Sequence, residues 1–338
     1  WYFKVEGIKA GETVTIDVGG GKIGGGWAHP QRAVFSTDNV TWLQTEPAEA
    51  TKSRRIYRQK IDAEHAWFAW GPAFVQQHAQ ELCERLAKTS PHASAFELCK
   101  SRDGHAVPGV RITQKGGEPK YGIWLNARQH AWESGGSWVG RGLGEWLVSD
   151  DPRAEELRKK ALIVLVPIMD MDSVQRGAGG KNQKPQDHNR DWSDEPHWPE
   201  VRAAQKEISA MNAAGKFDMY VDLHNPGPTD RMHIFVPPKE ICAEPGLRNI
   251  AEFMRCAQAE ISGPLRFTGH VKFSGANYDK NWEKMSKNWV TRHTAKHVIA
   301  MTLETPWNVP ESTQENYQRV GKELGLAIER YLREKIRE

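Results

Sequence analysis

Two histidines and two glutamates have the residue types and spacing of a hydrolytic metal site. His130 and Glu133 are three residues apart and come soon after the predicted strand 121–126, so both side chains can reach one point. His224 directly follows the predicted strand 217–223 and Glu304 the predicted strand 298–303. Two imidazoles and a carboxylate form a ligand set of catalytic zinc, with a fourth position open for water. The pattern predicts zinc bound by His130, Glu133 and His224, with Glu304 beside it as a general base.

A polar segment adds groups that suit a carboxylate ligand. Residues 187–192 read Asp-His-Asn-Arg-Asp-Trp. Arg190 carries a permanent charge and a forked set of donors, and Asn189 can donate a further hydrogen bond. Each feature taken alone has an ordinary explanation, such as a surface histidine, a helix cap or a structural ion pair. Their succession along one chain favours a catalytic metal site over these separate structural explanations.

The elements that must position these residues fall into two regions. Residues 1–70 contain short β-branched or aromatic runs separated by turn residues, a pattern typical of a β-sandwich. From Pro72 onward, apolar strands alternate with helices, which predicts an α/β domain with a mixed central sheet flanked by helices. Ligands collect at the carboxyl ends of strands in such a sheet. We therefore expect a small all-β sandwich at 1–70, whose first strand begins at residue 1 and whose start could be missing, and a catalytic domain at 71–338.

The individual elements follow from periodicity and turn residues. The glycine-rich run 19–26 lacks the Lys-Ser/Thr end of a phosphate loop and is predicted to be a hairpin or loop. Predicted strands are 1–5, 13–18, 32–37, 40–44, 55–61, 96–100, 107–113, 121–126, 162–166, 217–223 and 298–303, and predicted helices are 74–88, 137–148, 199–214, 247–261 and 311–338.

Composition limits the classes of partner. The chain has 338 residues, with 46 Lys and Arg against 43 Asp and Glu, and a net charge of only +3. That balance gives no global argument for nucleic acid or an anionic membrane as a partner. The longest apolar run, 161–169, is far shorter than the roughly 20 residues of a membrane span. We expect a soluble protein, cytoplasmic or, if a signal peptide preceded Trp1, periplasmic or secreted. The oligomeric state is not indicated.

The order and spacing of these features resemble the zinc carboxypeptidase family over residues 71–338. The shared features are the hairpin at 101–104 (Ser-Arg-Asp-Gly), the HxxE at 130–133, the Asn-Arg-Asp-Trp segment, the strand-end histidine and the late glutamate. Residues 1–70, with Trp-Tyr-Phe-Lys-Val at 1–5 and Trp-Phe-Ala-Trp at 67–70, resemble the β-sandwich that precedes the catalytic domain in the cytosolic-carboxypeptidase-like branch.

The resemblance implies a zinc metallocarboxypeptidase that acts on the C-terminus of peptides or proteins. It implies one Zn²⁺ per chain, bound by His130, Glu133 and His224. Glu304 would activate the zinc-bound water and carry its proton to the leaving amine. Asn189 and Arg190 would bind the terminal carboxylate of the substrate.

Three positions depart from the family pattern. Where the family has Asn-Pro-Asp-Gly, residues 170–173 read Asp-Met-Asp-Ser, and Asp172 is the match for an aspartate that would orient a zinc-binding histidine. Arg176 is the candidate to polarise the scissile carbonyl, with Lys181 and Lys184 as alternatives. Tyr278 is the candidate for the mobile tyrosine of the family.

The substrate side chain is the least determined feature. In the cytosolic branch, acidic C-terminal residues such as glutamate are removed, and Arg292, with Lys287 and Lys296 near it, would suit them as a basic pocket. The alternative is a solvated basic loop. Two other functions stay open: a zinc-dependent amidase or deacylase of acylated amino acids, as in the related aspartoacylase-like branch, and a non-catalytic module in which the 14 tryptophans bind a glycan or peptide.

Overall fold

The computed structural model of the protein describes residues 1–19 and 29–334. The predicted loop at 19–26 lies, apart from its first residue, outside the described residues, as do the last four residues of the predicted C-terminal helix. The strands are β1 Tyr2–Glu6, β2 Glu12–Gly19, β3 Val34–Ser36, β4 Leu43–Gln44, β5 Glu49–Ala50, β6 Arg54–Ile61, β7 His65–Ala69, β8 Ala93–Lys100, β9 Ala106–Ile112, β10 Tyr121–Ala127, β11 Ala161–Val166, β12 Met219–His224, β13 His233–Val236, β14 Val271–Phe273 and β15 Ile299–Glu304. The helices are α1 Gln76–Thr89, α2 Ser134–Leu147, α3 Pro152–Lys160, α4 Met171–Gln175, α5 Pro199–Ala213, α6 Glu244–Glu260, α7 Ser286–His293 and α8 Gln314–Glu334.

The first seven strands form two antiparallel sheets, in the orders β1-β7-β3-β4 and β2-β6-β5. Ile8, Ile61 and Phe68 are buried in a small core of their own. Val34 and Trp42 belong instead to the main core, so these sheets pack against the rest of the chain. The extra antiparallel sheets agree with the fold predicted for this region. The last of these strands ends seven residues before α1 begins.

The remaining strands form one mixed eight-stranded sheet in the order β14-β13-β15-β12-β10-β11-β9-β8. Its four central strands, β15, β12, β10 and β11, run parallel, whereas β13 and β9 pair antiparallel to that group. Every residue of β10, β12 and β15 is buried, as expected for strands covered on both faces. The predicted mixed α/β sheet flanked by helices is confirmed. Within the described ranges, no helix is long and apolar enough to cross a membrane.

Parallel pairing brings the proposed site residues to one edge of the sheet. His224 lies opposite Glu304 in the register of β12 and β15, and the turn that follows β10 lies beside them. Helix α2 begins directly after Glu133 and packs very close to β12. A Cβ atom at Gly136 would lie 2.6 Å from the carbonyl oxygen of Leu223, so only glycine permits this approach. The close packing brings Glu133 next to His224.

Candidate active site

Three side chains converge at this edge of the sheet. Nδ1 of His130 lies 2.8 Å from Oε1 of Glu133, and Nδ1 of His224 lies 2.6 Å from Oε2 of the same carboxylate. All three residues are buried, and one donor atom from each lies within 4.8 Å of the others. Two imidazole nitrogens and a carboxylate in this space fit zinc, which binds such donors at about 2.0–2.2 Å.

A carboxylate lies behind each histidine. Nε2 of His224 is 2.8 Å from Oδ2 of Asp222, and Nε2 of His130 is 3.4 Å from Oδ1 of Asp187. A carboxylate at the far nitrogen fixes the ring orientation and leaves Nδ1 for a metal. Neither carboxylate was predicted from the sequence as a partner of these histidines. Asp222 had a usable signal, because residues two apart in a strand point to the same face.

The buried charges shift the pKa values of the ligands in the metal-free protein. Burial would lower the pKa of His224, but the carboxylates of Asp222 and Glu133 raise it well above its usual value. Burial would raise the pKa of Glu133, but the two histidines hold it well below its usual value. Because protons and metal compete for the imidazole nitrogens, acid weakens metal binding here.

Glu304 lies beside the metal ligands at the end of β15. Its side chain is buried and lines the same cavity as His130 and Glu133. Burial raises the pKa of Glu304 to about 7, against the opposing effect of His224. A carboxylate with a pKa near neutrality can take up and release a proton at physiological pH.

Arg190 and Asn189 also line this catalytic cavity, which has a volume of about 490 Å³. Nε and Nη2 of Arg190 donate to Oδ2 of Asp279 at 3.0 and 2.9 Å, which fixes the guanidinium. Oδ1 of Asn189 accepts from the backbone N–H of Ser286, and Oγ of Ser286 lies at the same distance, 3.1 Å. Because these contacts use Oδ1, Nδ2 is the donor that Asn189 can offer to a ligand. Together they suit a carboxylate.

A buried lysine lines the cavity on the side formed by β15 and α7. Lys287 is only 2% exposed, and its Nζ lies 3.8 Å from Sδ of Met285 and 5.4 Å from the ring centre of Phe235. No carboxylate of the described residues forms an ion pair with it. Burial, followed by repulsion from Arg190, lowers the pKa of Lys287 to about 7, against the opposing effects of the Asp222 and Glu304 carboxylates. Oγ1 of Thr302, in the same cavity, has no hydrogen-bond partner among the described residues.

The loop 176–184 brings Lys181, and not Arg176, into the catalytic cavity. Arg176 directly follows α4, pairs with Asp103 and lines a neighbouring cavity. Nζ of Lys181 lies 3.2 Å from Nε2 of His130, and its side chain lines the catalytic cavity. Arg176, the first candidate to polarise the scissile carbonyl, therefore does not line the catalytic cavity, whereas its alternative Lys181 does.

Of the other predicted residues, Asp172 and Arg292 lie away from the metal ligands, whereas Tyr278 lies at the catalytic cavity. Asp172 accepts a hydrogen bond from the backbone N–H of Asp103 at 3.2 Å. The carboxylates that contact the two histidines are instead those of Asp222 and Asp187. Arg292, in the last turn of α7, pairs with Glu283 at 2.9 Å and lines a separate cavity. Tyr278 lines the catalytic cavity and is 51% exposed.

Comparisons with known proteins point to one family. A family model described as zinc carboxypeptidase matches residues 79–331. An uncharacterized protein of Zymomonas mobilis is 28% identical over 242 residues, which cover 70% of this chain and 60% of that protein. Human cytosolic carboxypeptidase 1 is 27% identical over 176 residues, which cover 48% of this chain and 14% of that protein. The matched part is therefore less than two thirds of the length of either relative.

Solved structures share the fold along almost the whole chain. A metallo-carboxypeptidase from Burkholderia cenocepacia has a TM-score of 0.83 at 20% identity, covering 98% of this chain and 89% of that chain. A metallo-carboxypeptidase from Pseudomonas aeruginosa, in complex with (2-guanidinoethylmercapto)succinic acid, has a TM-score of 0.79 at 22% identity, with the same coverage of 98% and 89%. At these identities the likeness concerns the fold alone.

Proposed function

Since the chain belongs to the zinc carboxypeptidase family, we propose that it removes single residues from the C-terminus of peptides or proteins. The observation that carries this proposal is the convergence of His130, Glu133 and His224 in one cavity with Arg190 and Glu304. The first three residues would hold one zinc ion per chain. When bound, zinc supplies a Lewis acid that polarises the scissile carbonyl and makes a water ligand easier to deprotonate.

Arg190 and Asn189 bind the terminal carboxylate of the substrate in this proposal. The guanidinium donates to the carboxylate oxygens, and Nδ2 of Asn189 adds a neutral donor. An internal peptide bond or an amidated end has no negative charge to pair with Arg190. These contacts therefore favour cleavage at the last residue.

Glu304 acts as the general base and then as the acid. It takes a proton from the attacking water while the water oxygen bonds to the carbonyl carbon. It then gives this proton to the leaving nitrogen as the carbon–nitrogen bond breaks. We propose Lys181, in place of Arg176, as the protein cation that stabilises the negative charge developing on the carbonyl oxygen. Its position in the catalytic cavity supports this role.

Lys287 supports a preference for an acidic C-terminal side chain such as glutamate. A buried ammonium that no carboxylate contacts directly gains more from a substrate carboxylate than a solvated one does. Oγ1 of Thr302 can donate a further hydrogen bond to the same group. The proposed preference therefore depends on Lys287 and not on Arg292.

A peptide series tests the proposal. The peptides share one body and end in Glu, Gln, Leu or Lys, with an amidated Glu peptide as the control for the free terminus. We expect mass spectrometry to show loss of one residue with zinc and none with a chelator, the fastest loss from the Glu peptide, and none from the amidated one. Hydrolysis of acylated amino acids without cleavage of any peptide would indicate the amidase or deacylase alternative.

A further inference from the structure

The order of the strands gives the substrate a direction across the site. Lys287 and Thr302 mark the side of α7, β13 and β15 in the catalytic cavity. The metal ligands lie at the ends of β12 and β10, and β11 is the next strand along the sheet. If the residue to be removed occupies the Lys287 side, its scissile bond lies over β12 and β10. The residues before it then extend toward β11 and the loop 176–184.

Two further cavities are lined in part by the loop 176–184. The first, of about 310 Å³, shares Lys181 with the catalytic cavity. The second, of about 470 Å³, shares Trp132, Ala178, Gly179 and Asn182 with the first. Trp132 lies in the chain between two of the proposed metal ligands. The three cavities are therefore neighbours in a row, each sharing lining residues with the next.

The second cavity, named the aromatic cavity below, lies between the N-terminal sheets and the α/β part of the chain. Trp70, which directly follows β7, and Trp132 line it with their rings stacked at 6.2 Å between centres and 12° between planes. Phe74 and Val75 line another part. Arg128 also lines the cavity, and three hydrogen bonds from its guanidinium go to the backbone oxygens of Ala131 and Phe74. The aromatic and aliphatic part of the lining is suited to an apolar or aromatic group.

We propose that the aromatic cavity is a subsite for an aromatic or large apolar side chain of the substrate, upstream of the residue that is removed. The proposal rests on the proposed function, because the direction of the substrate follows from the carboxylate-binding groups and Lys287. The N-terminal sheets then take part in substrate choice, since Trp70 forms one wall. The substrate would be a peptide with an acidic last residue and an aromatic residue a short distance before it.

Peptides that differ at one upstream position test this subsite. All end in Glu and carry either Phe or Ala at the second, third, fourth or fifth position from the C-terminus. We expect Phe at one of these positions to raise kcat/KM about tenfold over Ala, as partial burial of a phenyl ring contributes this much. The same peptides are titrated into the metal-free protein by calorimetry, where Phe at that position should lower Kd by a similar factor.

A blocking variant assigns the effect to the cavity. Ala178 is exposed and lines both outer cavities, so a larger side chain there enters the cavity without disturbing the core. Ala178→Trp should remove the advantage of Phe and change the rates of the Ala peptides less than twofold. Ala178→Ser is the matched control and should keep the advantage. Asn182→Trp, at a second exposed residue of the same lining, replaces the first variant if that one fails to fold.

The outcomes separate the subsite from the proposed function. Equal rates and equal Kd values for Phe and Ala at all four positions would overturn the subsite, as would an advantage of Phe that persists in both blocked variants. Binding that favours Phe and is lost on blocking, without cleavage of any peptide in the presence of zinc, would keep the subsite and overturn the proposed function.

Discussion

Lys287→Met should separate substrate specificity from catalysis. The fall in the pKa of Lys287 from 10.5 to about 7 corresponds to about 5 kcal/mol against the charged form in the free protein. A substrate carboxylate supplies a direct ion-pair partner, and a hydrogen bond to a charged group contributes about 1.5–3 kcal/mol. At about 1.4 kcal/mol per factor of ten, we expect Lys287→Met to lower kcat/KM for a peptide ending in Glu by about 10- to 100-fold.

The assay compares peptides ending in Glu and Leu in three proteins. In Lys287→Met, the rate for the Leu peptide should be unchanged or higher. Lys272→Met is the matched control, because Lys272 lines the same cavity but is already neutralised by Asp230 at 3.1 Å. It should change the ratio of Glu to Leu rates less than Lys287→Met does. Thermal unfolding of each variant checks that the fold is kept.

The same lysine gives the preference a pH dependence with a defined sign. Below pH about 7 Lys287 is protonated in the free protein and attracts the substrate carboxylate. As the pH rises above about 7, it loses its charge, so the advantage of Glu over Leu in kcat/KM should decline. In Lys287→Met the ratio should be flat across this range. A wild-type ratio that stays constant from pH 6 to 9, or a Lys287→Met ratio equal to that of the wild type, would refute the reasoning.

The remaining predictions concern the metal, the base and the terminal carboxylate. Glu304→Gln should keep one zinc per chain by metal analysis and lose at least about a hundredfold in kcat, since a general base contributes at least that much; activity near the wild-type level would remove the assigned role. His224→Ala should lose zinc on dialysis, and retention of a full equivalent would mean that the ligand set is different. Arg190→Ala should weaken binding of a peptide with a free C-terminus by about 10- to 100-fold and that of its amidated form far less; equal losses measured by calorimetry would contradict the contact. Ser286→Ala should raise KM while zinc stays bound, because Asn189 loses a neighbour that fixes its amide; a fall in kcat alone would argue against this.

The tendency of ligands to collect at the carboxyl ends of strands explains why the metal ligand His224 and the base Glu304 could be predicted from the sequence. His224 and Glu304 each directly follow a predicted strand, and parallel buried strands bring their carboxyl ends to one edge. The strong signal of these strands explains why the mixed sheet was predicted. Asp222 could have been found by the same logic, because alternation places it on the same face as His224.

The positions of the basic residues in the site depend on short elements and on loop geometry. Strand β13 has four residues and helix α7 eight, too few for a clear periodic signal, so the wall that carries Lys287 was not predicted. Within α7, Lys287 is buried while Arg292 is not, and the sequence alone does not distinguish two basic residues five positions apart. The choice between Arg176 and Lys181 is decided by the path of a loop without any repeating pattern.

Zinc titration of the metal-free protein tests whether His130, Glu133 and His224 hold the metal on which activity depends. Release of the C-terminal residue from a peptide ending in Glu is followed as zinc is added. We expect no release without metal, a rise that ends at one zinc per chain, and no comparable rise in His224→Ala. Release by the metal-free protein, or full activity of His224→Ala at one equivalent of zinc, would contradict this assignment.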